Sequence, residues 1–206
     1  MRRIICFLIV FIYLSSSLES KGIGLNFVVS GLGGANYFVR TNGNSSAYTG
    51  WGESYGYEGE VQVIFKKENI GLGLSYGNIY ETAVAKNPYT NWVWTREVIR
   101  SPLLLKLLLN PLGKINPWVG VGKDNFKISY VELQIRSGDK FRETDLEGTE
   151  VFQIFFLGTD ISIWKGILTC FEIRYGYNET NNTVKTTNFE SLQFLLKVSY
   201  RFELSK

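Results

Sequence analysis

The chain has 206 residues, including 22 Lys and Arg, 19 Asp and Glu, 2 Cys and no His, and its formal net charge is +3. Without His it has no Ser–His or Cys–His nucleophile pair, no imidazole base and no His-ligated metal, so we expect no catalytic residue of these kinds, no metal and no cofactor. The small positive charge gives no reason to expect nucleic acid as a partner. An apolar fraction of 45% argues against both a bundle of transmembrane helices and a disordered chain.

The first twenty residues have the three parts of an export signal. Arg2 and Arg3 precede an apolar run over residues 4–14, and small polar residues follow it. The run is short for a membrane span, so we predict a cleaved signal peptide over 1–20, with cleavage after Ser17 or Ser20. An uncleaved signal anchor is the alternative. Cleavage would leave Cys170, on a polar strand face, as the single cysteine, where a small buried residue is its expected role.

The remainder, residues 21–206, alternates between apolar and polar side chains, as half-buried strands do. In the last segment, for example, Val198 and Tyr200 share one face, and Lys197 and Ser199 share the other. Helical periodicity is missing. The predicted strands cover roughly 23–34, 57–67, 70–80, 97–109, 117–133, 150–164, 167–177 and 190–204.

The connections between these strands alternate between short and long. The short ones are 68–69, 110–116 and 165–166, and the long ones are 35–56, 81–96, 134–149 and 178–189. This alternation is typical of membrane barrels, whose strands need about 9–11 residues each. We therefore predict an all-β fold, an eight-stranded antiparallel up-and-down transmembrane β-barrel. Within the third long connection, residues 136–142 are predicted to form a hairpin tip.

Alternation does not say which face of the sheet lies inside. A secreted lipocalin-like barrel, which binds a small ligand, has an apolar interior. Two features favour a polar interior: Gly and Ser are frequent on the polar faces, which suits a narrow lumen, and aromatic residues recur towards the strand ends, as in interfacial girdles. The girdle candidates are Tyr76, Trp118, Trp164, Tyr175, Tyr177, Tyr200 and Phe202.

Three segments resemble a known family. Ile99-Arg-Ser-Pro-Leu-Leu-Leu-Lys106 and Asn116-Pro-Trp-Val-Gly-Val-Gly122 are similar to the "PLLLK … PYxGxG" hairpin of small porin-family outer-membrane β-barrel proteins. Phe171-Glu-Ile-Arg-Tyr-Gly176 and the segment LQFLLKVSYRF at 192–202 resemble the last two strands of that family. The resemblance implies an OmpA/OmpX-type barrel in the bacterial outer membrane, surrounded by outer-membrane lipid. It also implies the barrel-assembly machinery as a partner during biogenesis, and a monomer.

Charged residues on the polar faces would meet inside such a barrel. Unpaired charges are costly in a narrow lumen, so we predict a network of ion pairs. Its predicted members are Glu60, Arg100, Lys106, Asp160, Glu172, Arg174, Lys197 and Arg201; Glu58, Lys66, Asp124 and Glu203 are further inward-facing candidates. On the last hairpin, Glu172 and Arg174 are expected to neighbour Lys197, Ser199 and Arg201. The network either blocks the bore or forms a gated ion path.

The first two long connections carry aromatic residues among small polar ones, a composition found in recognition surfaces. The predicted recognition aromatics are Tyr48, Trp51, Tyr55, Tyr89, Trp92 and Trp94. They would bind an extracellular ligand through the loops. Alternatively, they pack on one another or dip into the membrane interface.

These observations together predict a non-enzymatic integral outer-membrane protein with an envelope-structural or surface-recognition role and at most a narrow pore. Lipid A acylases and deacylases share the scaffold that the resemblance implies, but they use a His, which this chain lacks. The alternatives are a secreted lipocalin-like binding barrel and, less expected, an outer-membrane lipid-modifying enzyme.

Overall fold

The computed structural model describes residues 22–42, 46–87, 90, 92–135, 137–142, 148–182 and 185–204. The predicted signal peptide over 1–20 lies outside the described residues. The strands are β1 Ile23–Asn42, β2 Ser46–Phe65, β3 Ile70–Lys86, β4 Val93–Leu108, β5 Ile115–Gln134, β6 Lys140–Arg142, β7 Gly148–Trp164, β8 Ile167–Asn182 and β9 Lys185–Glu203. None of the described residues belongs to a helix long and apolar enough to cross a membrane.

The eight long strands form a closed antiparallel ring. Each pairs with the next long strand along the chain, and β1 closes the ring by pairing with β9 from Asn26↔Glu203 to Asn42↔Thr187. The predicted all-β, eight-stranded up-and-down barrel is thus confirmed. A closed ring satisfies the backbone hydrogen bonds of every strand, which a sheet in hydrocarbon requires.

One end of the barrel has tight turns and the other has extended strands, here called the short-turn end and the long-loop end. The turns after β2 and β7 contain Asn69 and Gly166, both with positive φ. At the long-loop end, the segments predicted as loops over 35–56 and 178–189 are mostly strand, since pairing continues to Asn42↔Ser46 and Asn182↔Lys185. The strands are longer than a bilayer requires and continue beyond it.

The predicted hairpin tip over 136–142 is also a strand extension. Leu133 and Phe141 face each other where β6 pairs with β5, and Gly138 supplies the left-handed residue of the turn.

Towards the short-turn end, the barrel is apolar on its outer face and polar on its inner face. On β3, the side chains of Leu72, Leu74 and Tyr76 are about half exposed, whereas Gly73 and Ser75 between them are buried. A soluble barrel has the opposite arrangement, so this one is built to span a membrane. Trp118 is the exception among the predicted girdle residues: it points inward and is buried against Phe156, so its assignment to the girdle was wrong.

Candidate functional site

The central cluster consists of four buried charges, Glu58, Glu172, Arg174 and Lys197, at mid-height in the lumen. Glu172 and Arg174 are two residues apart on β8 and therefore point to the same side of the sheet. Arg174 forms ion pairs with both glutamates, as does Lys197, whose Nζ lies 2.5 Å from Oε2 of Glu58. Two cations thus compensate two anions, the condition under which charges are tolerated in a buried site.

The upper cluster lies nearer the long-loop end and consists of Glu81, Arg96, Arg100 and Asp124, all fully buried. Arg100 links the two acids: its Nε is 2.5 Å from Oδ2 of Asp124, and its Nη1 is 3.0 Å from Oε2 of Glu81. Arg96 also pairs with Glu81. The amide of Gln193 on β9 donates to Glu81 at 3.0 Å, so the cluster joins walls on opposite sides of the barrel.

The lower pair, Glu60 and Lys106, lies towards the short-turn end. Lys106 Nζ is 2.6 Å from Oε2 of Glu60 and 4.6 Å from the centre of the Trp118 ring. Gln62 Nε2 donates to the other oxygen of Glu60 at 2.9 Å. Below this pair, the lumen opens into a vestibule of about 570 Å³ at the short-turn end.

An apolar plug fills the long-loop end of the lumen. Phe38 stacks on Trp94 with ring centres 5.4 Å apart, and Phe126 packs on Phe152 at 4.5 Å. The guanidinium of Arg96 lies 3.3 Å from the centre of the Phe38 ring, which ties the plug to the upper cluster. The buried residues of the plug are Phe38, Ala83, Ala85, Trp94, Val98, Phe126, Ile128, Val131 and Phe152.

The structure brings six of the eight predicted network residues into ion pairs with described residues: Glu60, Arg100, Lys106, Glu172, Arg174 and Lys197. Asp160 makes no such ion pair; it accepts hydrogen bonds from Trp118 at 3.2 Å and Asn116 at 3.3 Å. Arg201 lies in the vestibule and donates to the carbonyl of Pro111 at 3.4 Å. The expectation that Arg201 joins the last-hairpin network was wrong, because the register places Lys197 opposite Cys170 and leaves Arg201 below.

Glu81 and Arg96 are members that the sequence reasoning missed. Both fall within 81–96, which was taken for a loop. The alternation of Trp94, Arg96, Val98 and Arg100 on one face continues the pattern of β4 and is the signal that could have revealed them.

The predicted recognition aromatics do not form one surface among the described residues. Trp94 is fully buried inside the plug, so its prediction as a surface-loop residue was wrong. Trp92 lies in the connection between β3 and β4, is half-buried and packs against the plug. Trp51 and Tyr55 are exposed, but they lie on the outer face of β2, where their rings contact Tyr37 and Tyr80. The side chain of Tyr48 and the whole of Tyr89 lie outside the described residues.

The lumen contains one cysteine among the described residues, Cys170. Cys170 is a free thiol, only 2% exposed, and it packs in an apolar cluster with Trp118 and Phe156. Over the described ranges, no group of three or more His, Cys, Asp or Glu is placed to hold a metal ion. The ion pairs and packed rings of the lumen can therefore hold the walls of the barrel together.

The eight-stranded closed ring with a charged interior and an apolar outer face defines the class of this protein: a small membrane-spanning β-barrel. No protein-family model matches the sequence, and no curated protein matches it.

Three solved structures illustrate what the chain is similar to. Neisserial surface protein A has 13% identity over 85% of this chain and 97% of its own, with a TM-score of 0.46. Ail of Yersinia pestis, in complex with the heparin analogue sucrose octasulfate, has 8% identity over 87% and 99%, with a TM-score of 0.47. The N-terminal β-barrel domain of Pseudomonas aeruginosa OprF has 14% identity over 87% and 99%, with a TM-score of 0.46. Similarity at this level concerns the fold alone.

Proposed function

We propose that the protein is a non-enzymatic integral protein of the bacterial outer membrane, and that its barrel is a closed anchor that holds extended strands above the bilayer. In such barrels the short turns face the periplasm and the long connections face outwards. The long-loop end would then be the cell surface, where the paired extensions of β1 and β2 stand clear of the membrane.

The filled lumen is the observation that carries this proposal. The central cluster connects β2 to β8 and β9, and the upper cluster connects β3, β4, β5 and β9, so that charged side chains cross the bore at two levels. Separating a buried pair leaves uncompensated charges and costs about 3–5 kcal/mol. The apolar plug adds a third obstacle, since an ion that passes it must shed its water. Open conduction would require all three to rearrange together.

The lipocalin-like alternative requires an apolar binding cavity, whereas buried charged side chains cross the described part of this lumen. Cell fractionation tests the location: the protein should sediment with the outer membrane, require detergent for release, and migrate differently on a detergent gel before and after heating. Recovery in the soluble periplasm without detergent would overturn the membrane assignment.

Single-channel recording in planar bilayers tests the closed lumen. The purified protein should show no sustained openings, whereas the triple variant Arg174→Ala with Arg100→Ala and Phe126→Ala, which weakens the central cluster, the upper cluster and the plug together, should show brief openings. Sustained, salt-dependent conductance of the unchanged protein would contradict a closed anchor and favour a pore.

Cys170 provides a second test that does not depend on conductance. In a Cys6→Ser background, a small charged thiol reagent should label Cys170 only after the barrel unfolds, because the side chain is buried in the lumen. The matched control is Ser137→Cys with Cys170→Ser, which places the thiol on the exposed tip between β5 and β6 and should react at once. Rapid labelling of Cys170 in the folded barrel would show that water and solutes enter the lumen.

A further inference from the structure

Two lysines, Lys123 and Lys127, lie on the outer face of β5 where its apolar residues end. Ile115, Val119 and Val121 are exposed on this face, and Lys123 follows them. A tilted strand crosses a bilayer in about 9–11 residues, so a strand that enters at Ile115 reaches the opposite headgroup region near Lys123. Lys127 lies on the same face, four residues further along β5 towards the long-loop end.

Neither lysine has an ion pair or hydrogen bond with a described residue. The cross-strand neighbours of Lys123 are Leu103 and Gln153, and Lys127 faces Ile99 on β4. Glu97, on the same side of β4, accepts a hydrogen bond from the Tyr80 hydroxyl instead. Among the described residues, their positive charges therefore have no partner and are free to meet an anion at the membrane surface.

A shallow apolar groove descends from Lys123 along β3, β4 and β5. It consists of two depressions of about 440 and 310 Å³ that share Leu105 and Val121 and are therefore continuous. The residues that line its apolar part are Leu72, Leu74, Leu103, Leu105, Leu107, Val119 and Val121, with Lys123 and Gln153 at the upper end.

We infer that this groove and the two lysines form a binding site for one phosphate-bearing anionic lipid of the outward-facing leaflet. The ammonium groups of Lys123 and Lys127 hold the phosphate, and the Gln153 amide is a further donor at the same level. A lysine at the membrane edge extends its apolar stem along the barrel and places its charge among the headgroups. One acyl chain of this lipid lies in the groove. This contact distinguishes the bound lipid from the other lipids that surround the barrel. The inference rests on the proposed membrane location and orientation.

Native mass spectrometry of the folded barrel, released from nanodiscs made of equal parts phosphatidylglycerol and phosphatidylcholine with identical acyl chains, tests the site. The unchanged protein should retain phosphatidylglycerol preferentially. The variant Lys123→Gln with Lys127→Gln should lose that preference, since each lysine near an anionic surface contributes roughly a fivefold change in binding. The matched control is Lys67→Gln with Lys165→Gln, two exposed lysines at the short-turn end, and it should retain the preference.

The groove is tested separately with Val121→Trp, which fills it and leaves both lysines in place. Retention of either lipid should fall; unchanged retention would overturn the acyl-chain part of the site. An unchanged preference in the double lysine variant would overturn the phosphate part. A barrel that inserts normally but retains no lipid refutes this inference and leaves the closed anchor intact, whereas failure to insert refutes both.

Discussion

Glu58 on β2 and Arg174 on β8 form an ion pair across the lumen, although 116 positions separate them in the sequence. β2 and β8 are not neighbours in the ring, because β1 and β9 lie between them. The pair therefore forms only when β1 and β9 have paired and closed the barrel. The side chains that block the bore thus also hold opposite walls of the barrel together. The same residues therefore block the lumen and stabilise the fold.

Replacing Arg174 with Met should destabilise the barrel strongly. Among the described residues, Glu58 and Glu172 would keep Lys197 as their remaining ion-pair partner, and one buried negative charge would lack compensation. Removal of one member of a buried ion pair costs about 3–5 kcal/mol in the free energy of unfolding. Urea titration of the protein in lipid vesicles, followed by Trp fluorescence, measures this change.

Lys165→Met is the matched control for Arg174→Met, because Lys165 is exposed in the turn between β7 and β8. This variant should change the free energy of unfolding by less than about 0.5 kcal/mol. The double variant Glu58→Gln with Arg174→Met should lose less stability than the sum of its single variants, because the two residues interact. An Arg174→Met barrel that unfolds at the same urea concentration as the unchanged protein would remove the stabilising role of the central cluster.

Two glycines with opposite surroundings give a second prediction. A Cβ on Gly158, which points into the lumen, would lie 2.5 Å from the Trp118 ring and from a backbone oxygen, whereas a Cβ on Gly31, on the outer face, would meet nothing within 4 Å. Gly158→Ala should therefore cost about 1–3 kcal/mol by overpacking. Gly31→Ala should be neutral or stabilising by up to about 1 kcal/mol, since Ala restricts the unfolded chain.

The same vesicle titration measures both glycine variants. Equal effects of Gly158→Ala and Gly31→Ala would contradict the tight packing of Trp118 against the β7 backbone. Because the two substitutions add the same methyl group to strand residues, the difference between them isolates the packing of the lumen.

The sequence pattern predicted the strands that cross the bilayer because lipid outside and polar groups inside impose a strict alternation there. Above the bilayer that rule reverses. Glu97 and Lys127 face outwards, whereas Trp94 and Phe126 fill the interior, as in a soluble barrel. Aromatic residues in this region were therefore predicted to be surface residues of loops. Arg96, which lies in the same segment, was not recognised as a lumen residue for the same reason.

Pairing across the barrel was also beyond the reach of a single sequence. Alternation placed Glu172 and Lys197 on facing strands of one hairpin, and they do pair. The contact between Arg174 and Glu58 depends on the curvature of the whole ring, and so does the position of Asp160 beside Trp118. Local pattern determines which face a charge occupies; the shape of the barrel determines which charge it meets.

The hairpin of β5 and β6 lies beyond the membrane and contains three linked titratable groups, Tyr130, Glu132 and Lys140. Lys140 Nζ lies 2.9 Å from Oε1 of Glu132, and the Tyr130 hydroxyl donates to Oε2 at 2.8 Å. Both contacts favour the carboxylate, the one with Lys140 most, and so they lower the pKa of Glu132. Because the folded pKa lies below the unfolded one, this stabilisation is complete above the usual glutamate pKa of about 4.3 and is lost as the pH falls through the lowered value.

Carbon-13 NMR of the labelled Glu132 carboxyl group measures this pKa directly. We expect a titration midpoint below that of an ordinary glutamate, and Lys140→Met should move the midpoint upwards because the principal hydrogen-bond donor is gone. Lys127→Met, which removes a lysine of β5 that forms no ion pair with a described residue, should leave the midpoint where it was. A midpoint at the ordinary value in the unchanged protein would mean that Lys140 does not hold Glu132 in solution, and that the hairpin of β5 and β6 keeps its register through backbone pairing such as Leu133↔Phe141 alone.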